Sequence, residues 1–138
     1  FDAPLIMSHG VANRKFIELA GEGADGVILP GGKLAIYDQL PASDAQRKVL
    51  KSYATAFKGA YNREADTFGG FAYDAFYLIC NALEKVGPNR AKIRAYLENA
   101  RYVGISGEFF MTKEDHNGLA KDAFVMVQVK NGDWVPAK

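Results

Sequence analysis

Apolar residues follow two rhythms along this chain. Short unbroken runs, Leu5-Ile6-Met7 and Val27-Ile28-Leu29, have the length and density of buried strands, whereas most other segments repeat every three to four residues, the spacing of one helical face. Leu5 to Met7 is predicted as a short buried strand. Val11 to Ala20 follows as a helix with Phe16, Ile17 and Ala20 inward and Gly21 as its stop. Gly26 to Leu29 is a second strand, ended by Pro30-Gly31-Gly32. Strand, short helix and strand within about thirty residues make a βαβ unit, which requires a parallel sheet and a right-handed crossover.

Residues 33–42, KLAIYDQLPA, read as an extended connection. Ser43-Asp44-Ala45-Gln46 has the spacing of a capping box, in which the Ser43 hydroxyl accepts from the Gln46 amide while Gln46 reaches back. The helix it opens carries Leu50, Tyr53, Ala54, Phe57 and Tyr61 on one stripe. After the loop READTFGG, a third helix is predicted from about Phe71 to Val86, with Ala72, Ala75, Phe76, Ile79 and Leu83 as its main inward stripe. Tyr73, Tyr77 and Cys80 widen its apolar girth, so cover on more than one side is expected. Gly87-Pro88 ends it, and residues 90–100 form a short helix with Ile93 and Leu97 inward. The tail then changes to GISGEFFMT, strand-like, KEDHNG, a polar turn, and AFVMVQVKNGDWVPA, strand, turn and strand. Asn131-Gly132 supplies the positive φ angles of a tight hairpin.

Composition narrows the function classes. The 138 residues are 49% hydrophobic and 24% charged, which suits one globular unit rather than a disordered chain. Lys and Arg number 17 against 16 Asp and Glu, with no block of like charge, so neither a nucleic-acid partner nor a basic membrane-surface helix is expected. The longest apolar stretch, Phe71 to Leu83, is broken by Asp74 and Asn81 and is too short to span a bilayer. Cys80, the single cysteine, reads as buried filler. No signal peptide opens the chain, so residues alone assign no compartment. An opening directly on a buried strand, with few strands for four helices, predicts part of a larger fold.

Catalytic chemistry finds no support. Gly104-Ile105-Ser106-Gly107-Glu108 lacks the glycine spacing of a nucleophile elbow, and Ser8 beside His9 makes no relay by adjacency. With His9, His116 and one cysteine, a zinc site would need carboxylate help, and KEDHNG lacks the alternating acids of a calcium loop. Gly21, Gly23 and Gly26 follow a helix rather than a strand, unlike dinucleotide or phosphate loops. No enzyme activity, metal or cofactor is expected. What remains are element ends, because open α/β sheets bind ligands at the carboxyl ends of strands, where helix N-termini gather. Ser8-His9-Gly10 lies at one such end, and Asp66-Thr67-Phe68-Gly69-Gly70 repeats the arrangement before the third helix. Ser8, His9, Gly10, Thr67, Phe68 and Gly69 are therefore the candidate ligand-binding residues. The plainer alternatives are a hydrogen-bonded loop histidine and an N-capped turn with Phe68 as its staple.

Three stretches together resemble a known family: SHGVANRKFIELAGEGADGVILPGGKLAIYDQLPASD, DTFGGFAYDAFYLICNAL and GISGEFFMTKEDHNGLAKDAFVMVQVKNGDW. They look like the C-terminal part of a periplasmic solute-binding protein of the branched-chain amino acid type, which serves ABC importers. The resemblance implies an α/β type I periplasmic binding fold, present here in part: doubly wound parallel sheets in two lobes, with a C-terminal β-hairpin. It implies that residues 1–32 belong to the second lobe, 33–38 are a hinge crossover, 39–117 belong to the first lobe, 118–123 cross back, and 124–138 form the second lobe's terminal hairpin. It implies a periplasmic location, a membrane permease as partner, and a small-molecule ligand held between the lobes. That ligand would be a branched-chain or aromatic amino acid or a related small carboxylic acid. A ligand-sensing domain of the same fold in a receptor or regulator is the alternative. His9 stands where the resemblance places an acidic residue that holds the ligand's ammonium, and Phe68 where it places an aromatic over the ligand's apolar body. An imidazole lacks the acid's permanent negative charge, so the expectation from His9 is a carboxylate-bearing or neutral ligand. A partial fold would leave sheet edges unpaired, so the fragment should pair with its other half, swap with a copy, or aggregate.

Overall fold

The computed structural model describes residues 3–137; Phe1, Asp2 and Lys138, at the outer ends of the 1–32 and 124–138 segments, lie outside the described residues. Helix α1 (Arg14–Ala20) starts where the Asn13 side chain accepts from the Phe16 amide at 3.1 Å. It stops at Gly21, whose φ of 55° is one that glycine adopts without steric cost. Ile17 faces inward as predicted, but Ala20 is exposed. Strand β1 (Ile28–Gly32) runs through Pro30-Gly31-Gly32 instead of ending there. It pairs antiparallel with β4 (Phe124–Lys130), which pairs antiparallel with β5 (Asp133–Pro136). Proline is tolerated because β1 is an edge strand in the order β1-β4-β5.

The predicted buried strand at Leu5 to Met7 shrinks to one parallel bridge between Ile6 and Ile28. Met7 donates to the Ile28 carbonyl and Ile28 to that of Leu5, both at 2.9 Å. Leu5 and Ile6 are exposed rather than buried, because no described residue covers them. The βαβ unit thus survives in its minimal form. Residues 33–42 are not extended: Lys33–Ile36 form a 3-10 turn that buries Lys33, Leu34 and Ile36.

The capping box does not form. Gln46 is almost fully buried, and its side-chain amide donates to the carbonyls of Gly104 at 2.9 Å and Ile105 at 3.4 Å. Ser43 stays exposed, and the Asp44 carboxylate accepts from the Gln46 backbone amide instead. Two buried carbonyls without other partners outcompete a cap on the surface. Helix α2 (Arg47–Tyr61) follows, with Leu50, Tyr53 and Ala54 buried, Phe57 half-buried and Tyr61 exposed.

Helix α3 (Thr67–Val86) begins four residues earlier than predicted, because Asp66 caps it by accepting from the Gly69 amide at 2.8 Å. Its buried residues are Gly70, Asp74 and Ala82. The predicted inward stripe of Ala72, Ala75, Phe76, Ile79 and Leu83 faces outward, with Phe76 64% exposed. Among the described residues the buried face is instead the one that carries a carboxylate. Asp74 accepts from the Ile105 amide at 2.8 Å, the Ser106 amide at 2.6 Å and the Tyr102 hydroxyl at 3.3 Å. Cys80 is half-buried.

Helix α4 (Arg90–Leu97), capped by Asn89, keeps Ile93 and Leu97 half-buried. It leads into β2 (Arg101–Val103), a strand absent from the sequence reading, which pairs antiparallel with β3 (Glu108–Phe110). The β4–β5 hairpin forms as expected, with φ of 52° at Asn131 and 74° at Gly132. A single apolar cluster runs through the molecule. It joins Ile17, Leu29 and Val127 to Leu50, Tyr53 and Ile105.

Asp74→Ala strands two backbone amides and a phenol, so urea unfolding should show a loss of about 3 kcal/mol. A pH dependence follows from two groups. Burial, then the Asp74 carboxylate, pushes the Tyr102 phenol far above its usual range. Burial acts to lower the Lys33 pKa, but hydrogen bonds and charge from Asp44 and Asp122 outweigh it and hold it above 10.5. Both folded values are raised, so their stabilisation is complete below the unfolded values and is lost as pH climbs beyond about 10. Unfolding free energy should therefore fall on the alkaline side, and Tyr102→Phe should flatten part of that decline.

Candidate functional site

A cavity of about 930 Å³ opens where the starts of α1, α3 and β5 face the connection that leaves β1. Its walls come from residues 12–15 and Glu18, from the 34–39 connection, from 63–68, and from Asp133 and Trp134. Local chemistry fixes each wall. Asn13 and Asp66 cap the two helices at their first turns. Thr67 lies so close to Gly32 that a Cβ there would sit 2.9 Å from its Cγ2, which ties the end of β1 to the start of α3. The Arg14 guanidinium donates to the Gly132 carbonyl at 3.1 Å and to Asp133 at 2.7 Å, joining α1 to the hairpin. Gln39 donates to the Trp134 carbonyl at 2.9 Å. Behind this wall the buried Lys33 ammonium bridges Asp44 at 3.0 Å and Asp122 at 3.2 Å.

The cavity brings Thr67 and Phe68 together with Ala12 and Asn13. Phe68 is 47% exposed, in edge contact with Phe71. Gly69 donates its amide to Asp66 and lines a smaller groove of about 510 Å³ with Tyr53, Phe57 and Tyr73. Ser8, His9 and Gly10 are exposed and do not line the larger cavity. His9 opens a 3-10 turn, His9–Val11, and its ring meets Phe124 edge-on at 6.0 Å. The N-terminus of α1 lies beyond it, at Asn13.

Sequence reasoning missed the lining residues Arg14, Asp38, Asp133 and Trp134. The Asn131-Gly132 turn marks the hairpin that presents the last two, but no spacing in the sequence tells that it returns to α1. The wall is polar and many of its charges are paired: Lys15 with Glu18 at 3.1 Å, Arg63 with Asp66 at 3.7 Å, and Glu64 with Lys58, outside the wall, at 2.6 Å. No group of three or more His, Cys, Asp or Glu residues able to hold a metal ion occurs among the described residues. None of their helices is long and apolar enough to cross a membrane. The arrangement suits reversible binding by hydrogen bonds, ion pairs and one exposed aromatic face.

The periplasmic binding protein family matches residues 2–133, and the chain belongs to that family. An extracellular ligand-binding receptor from Rhodopseudomonas palustris HaA2 has a TM-score of 0.88 at 25% identity, over 100% of this chain and 42% of that one. The leucine binding protein LivK of Thermotoga maritima MSB8 gives 0.77 at 21% identity, over 100% of this chain and 37% of its own. The branched-chain amino acid transporter substrate binding protein LivJ of Streptococcus pneumoniae, solved with isoleucine, gives 0.70 at 23%, over 99% and 38%. No curated protein matches the chain. The fold is thus a type I periplasmic binding fold in part, and the chain spans 42% or less of these three structures' length.

Proposed function

We propose that the chain is part of the extracytoplasmic solute-binding component of an ABC importer, and that the cavity beside Phe68 belongs to its ligand site. The observation that carries this reading is the meeting of two capped helix starts and an exposed aromatic ring around one opening, in a chain of the periplasmic binding protein family. We assign residues 1–32 and 124–138 to one lobe, 39–117 to the other, and 33–38 and 118–123 to the crossovers between them. Support comes from the pairing of β1 with β4 and β5 in one sheet, separate from the β2–β3 sheet. Ser8, His9 and Gly10, kept in this reading as ligand contacts, precede Ala12 and Asn13 of the wall by a few residues in sequence. Function is closure around a solute, a shift between open and closed forms without bond making. The ligand is a branched-chain or aromatic amino acid or a related small carboxylic acid, its apolar body against Phe68, and a membrane permease receives it.

The outward stripe of Phe76, Ile79 and Leu83 is the surface on which the remainder of the first lobe packs. Residues 1–138 alone should therefore self-associate in sedimentation, and Phe76→Glu with Ile79→Glu should return them to monomer. Titration calorimetry of the full-length protein with leucine, isoleucine and phenylalanine tests the ligand site. At least one should bind, and Phe68→Ala should weaken it about ten- to a hundredfold, the loss of one aromatic face. Binding unchanged by Phe68→Ala would place the solute elsewhere.

A further inference from the structure

The connection leaving β1 forms one wall of the cavity through Leu34, Ala35, Tyr37, Asp38 and Gln39. Both of its ends are tied. Gln39 donates to the Trp134 carbonyl at 2.9 Å. At the other end stands Lys33, which does not line the cavity and is only 6% exposed. Its ammonium lies 3.0 Å from Asp44, ahead of α2, and 3.2 Å from Asp122, ahead of β4. Lys33 opens the 3-10 turn that buries Leu34 and Ile36, so the point held by two carboxylates is one residue from the wall. Stability alone is a poor reason for an ammonium here, because withdrawing it from water is costly and an apolar side chain of similar volume often packs as well. What the ion adds is direction: it fixes the turn against two particular partners, where an apolar chain would accept many.

We propose that Lys33 is a positioning residue for the ligand site: through Asp44 and Asp122 it holds the 34–39 wall in the shape that receives solute, and so sets affinity without touching the ligand. This rests on the cavity being the solute site. A wall ordered before binding loses little conformational freedom when solute arrives. A wall released at its Lys33 end must be ordered by the ligand, at the expense of affinity. The other two ties do not replace the trio. The Gln39 bond holds the far end of the wall, and the close fit of Thr67 against Gly32 precedes Lys33.

The test compares the full-length protein with two variants. Lys33→Met with Asp44→Asn removes the buried pair together, and Asp122→Ala removes only an anion whose side chain is 66% exposed, which keeps the test open if the double variant does not fold. Amide hydrogen exchange without ligand reads the wall, calorimetry with leucine, isoleucine and phenylalanine reads affinity, and thermal unfolding reads stability. In the double variant residues 34–39 should exchange about tenfold faster or more, with α2 protected as in the parent. Affinity for whichever probe binds should fall about tenfold or more while the unfolding midpoint changes little. Asp122→Ala should move exchange and affinity the same way by about two- to fivefold, as suits a pair with one exposed partner. Unchanged exchange at 34–39, or unchanged affinity where Phe68→Ala still weakens binding, overturns the role of Lys33 and leaves the solute site standing. Faster exchange spread evenly over the protein with a lowered unfolding midpoint does the same, since it marks a contact that serves stability alone. Binding of no probe, or binding indifferent to Phe68→Ala, overturns the solute site and the role of Lys33 with it.

Discussion

One buried carboxylate holds the helical half of this chain together. Asp74 lies inside α3 and receives the backbone amides of Ile105 and Ser106 together with the Tyr102 hydroxyl. Gln46, at the entry of α2, binds the carbonyls of Gly104 and Ile105 from the other side. The loop between β2 and β3 is thus gripped through both its donors and its acceptors. Gly104 leaves room for the Asp74 carboxylate, which a Cβ would approach to 2.5 Å, and Gly70 leaves room for Ile105. Polar groups withdrawn from water are costly unless paired, so this arrangement tolerates little change in the rotation of α3.

That rotation explains where sequence and structure part. The apolar stripe from Ala72 to Leu83 has proper helical spacing, and the helix is real, yet its buried side passes through Gly70, Asp74 and Ala82. Hydrophobic pattern records every surface a segment is built to cover, whereas the described residues present only some of them. The outward stripe and the bare Leu5 and Ile6 are alike in this: each is apolar, and no described residue covers it. The hairpin and the stop at Gly21 were legible because turns and stops are set by local chemistry, positive φ above all. The capping box was expected and does not form, because the carbonyls of Gly104 and Ile105, 58 and 59 positions away in sequence, hold the Gln46 amide in place of a local bond.

Of the candidate site, the parts with local signatures were readable. Asp66 as a cap and Phe68 as an exposed aromatic follow from their immediate neighbours. Asp38 and Asp133 were invisible, since their place in the wall depends on contacts such as Arg14 with Asp133 across 119 positions. The 33–42 segment misled for a related reason. It reads as an extended connection, but Lys33 turns inward to meet two carboxylates.

Lys33 has a mechanical consequence. Its single ammonium touches the stretch leaving β1, the approach to α2 through Asp44, and the approach to β4 through Asp122. The three stretches therefore meet at one ammonium, and none can shift far without pulling a cation from an anion. Drawing any one of these three stretches away from the others strands a charge that the ammonium now shares.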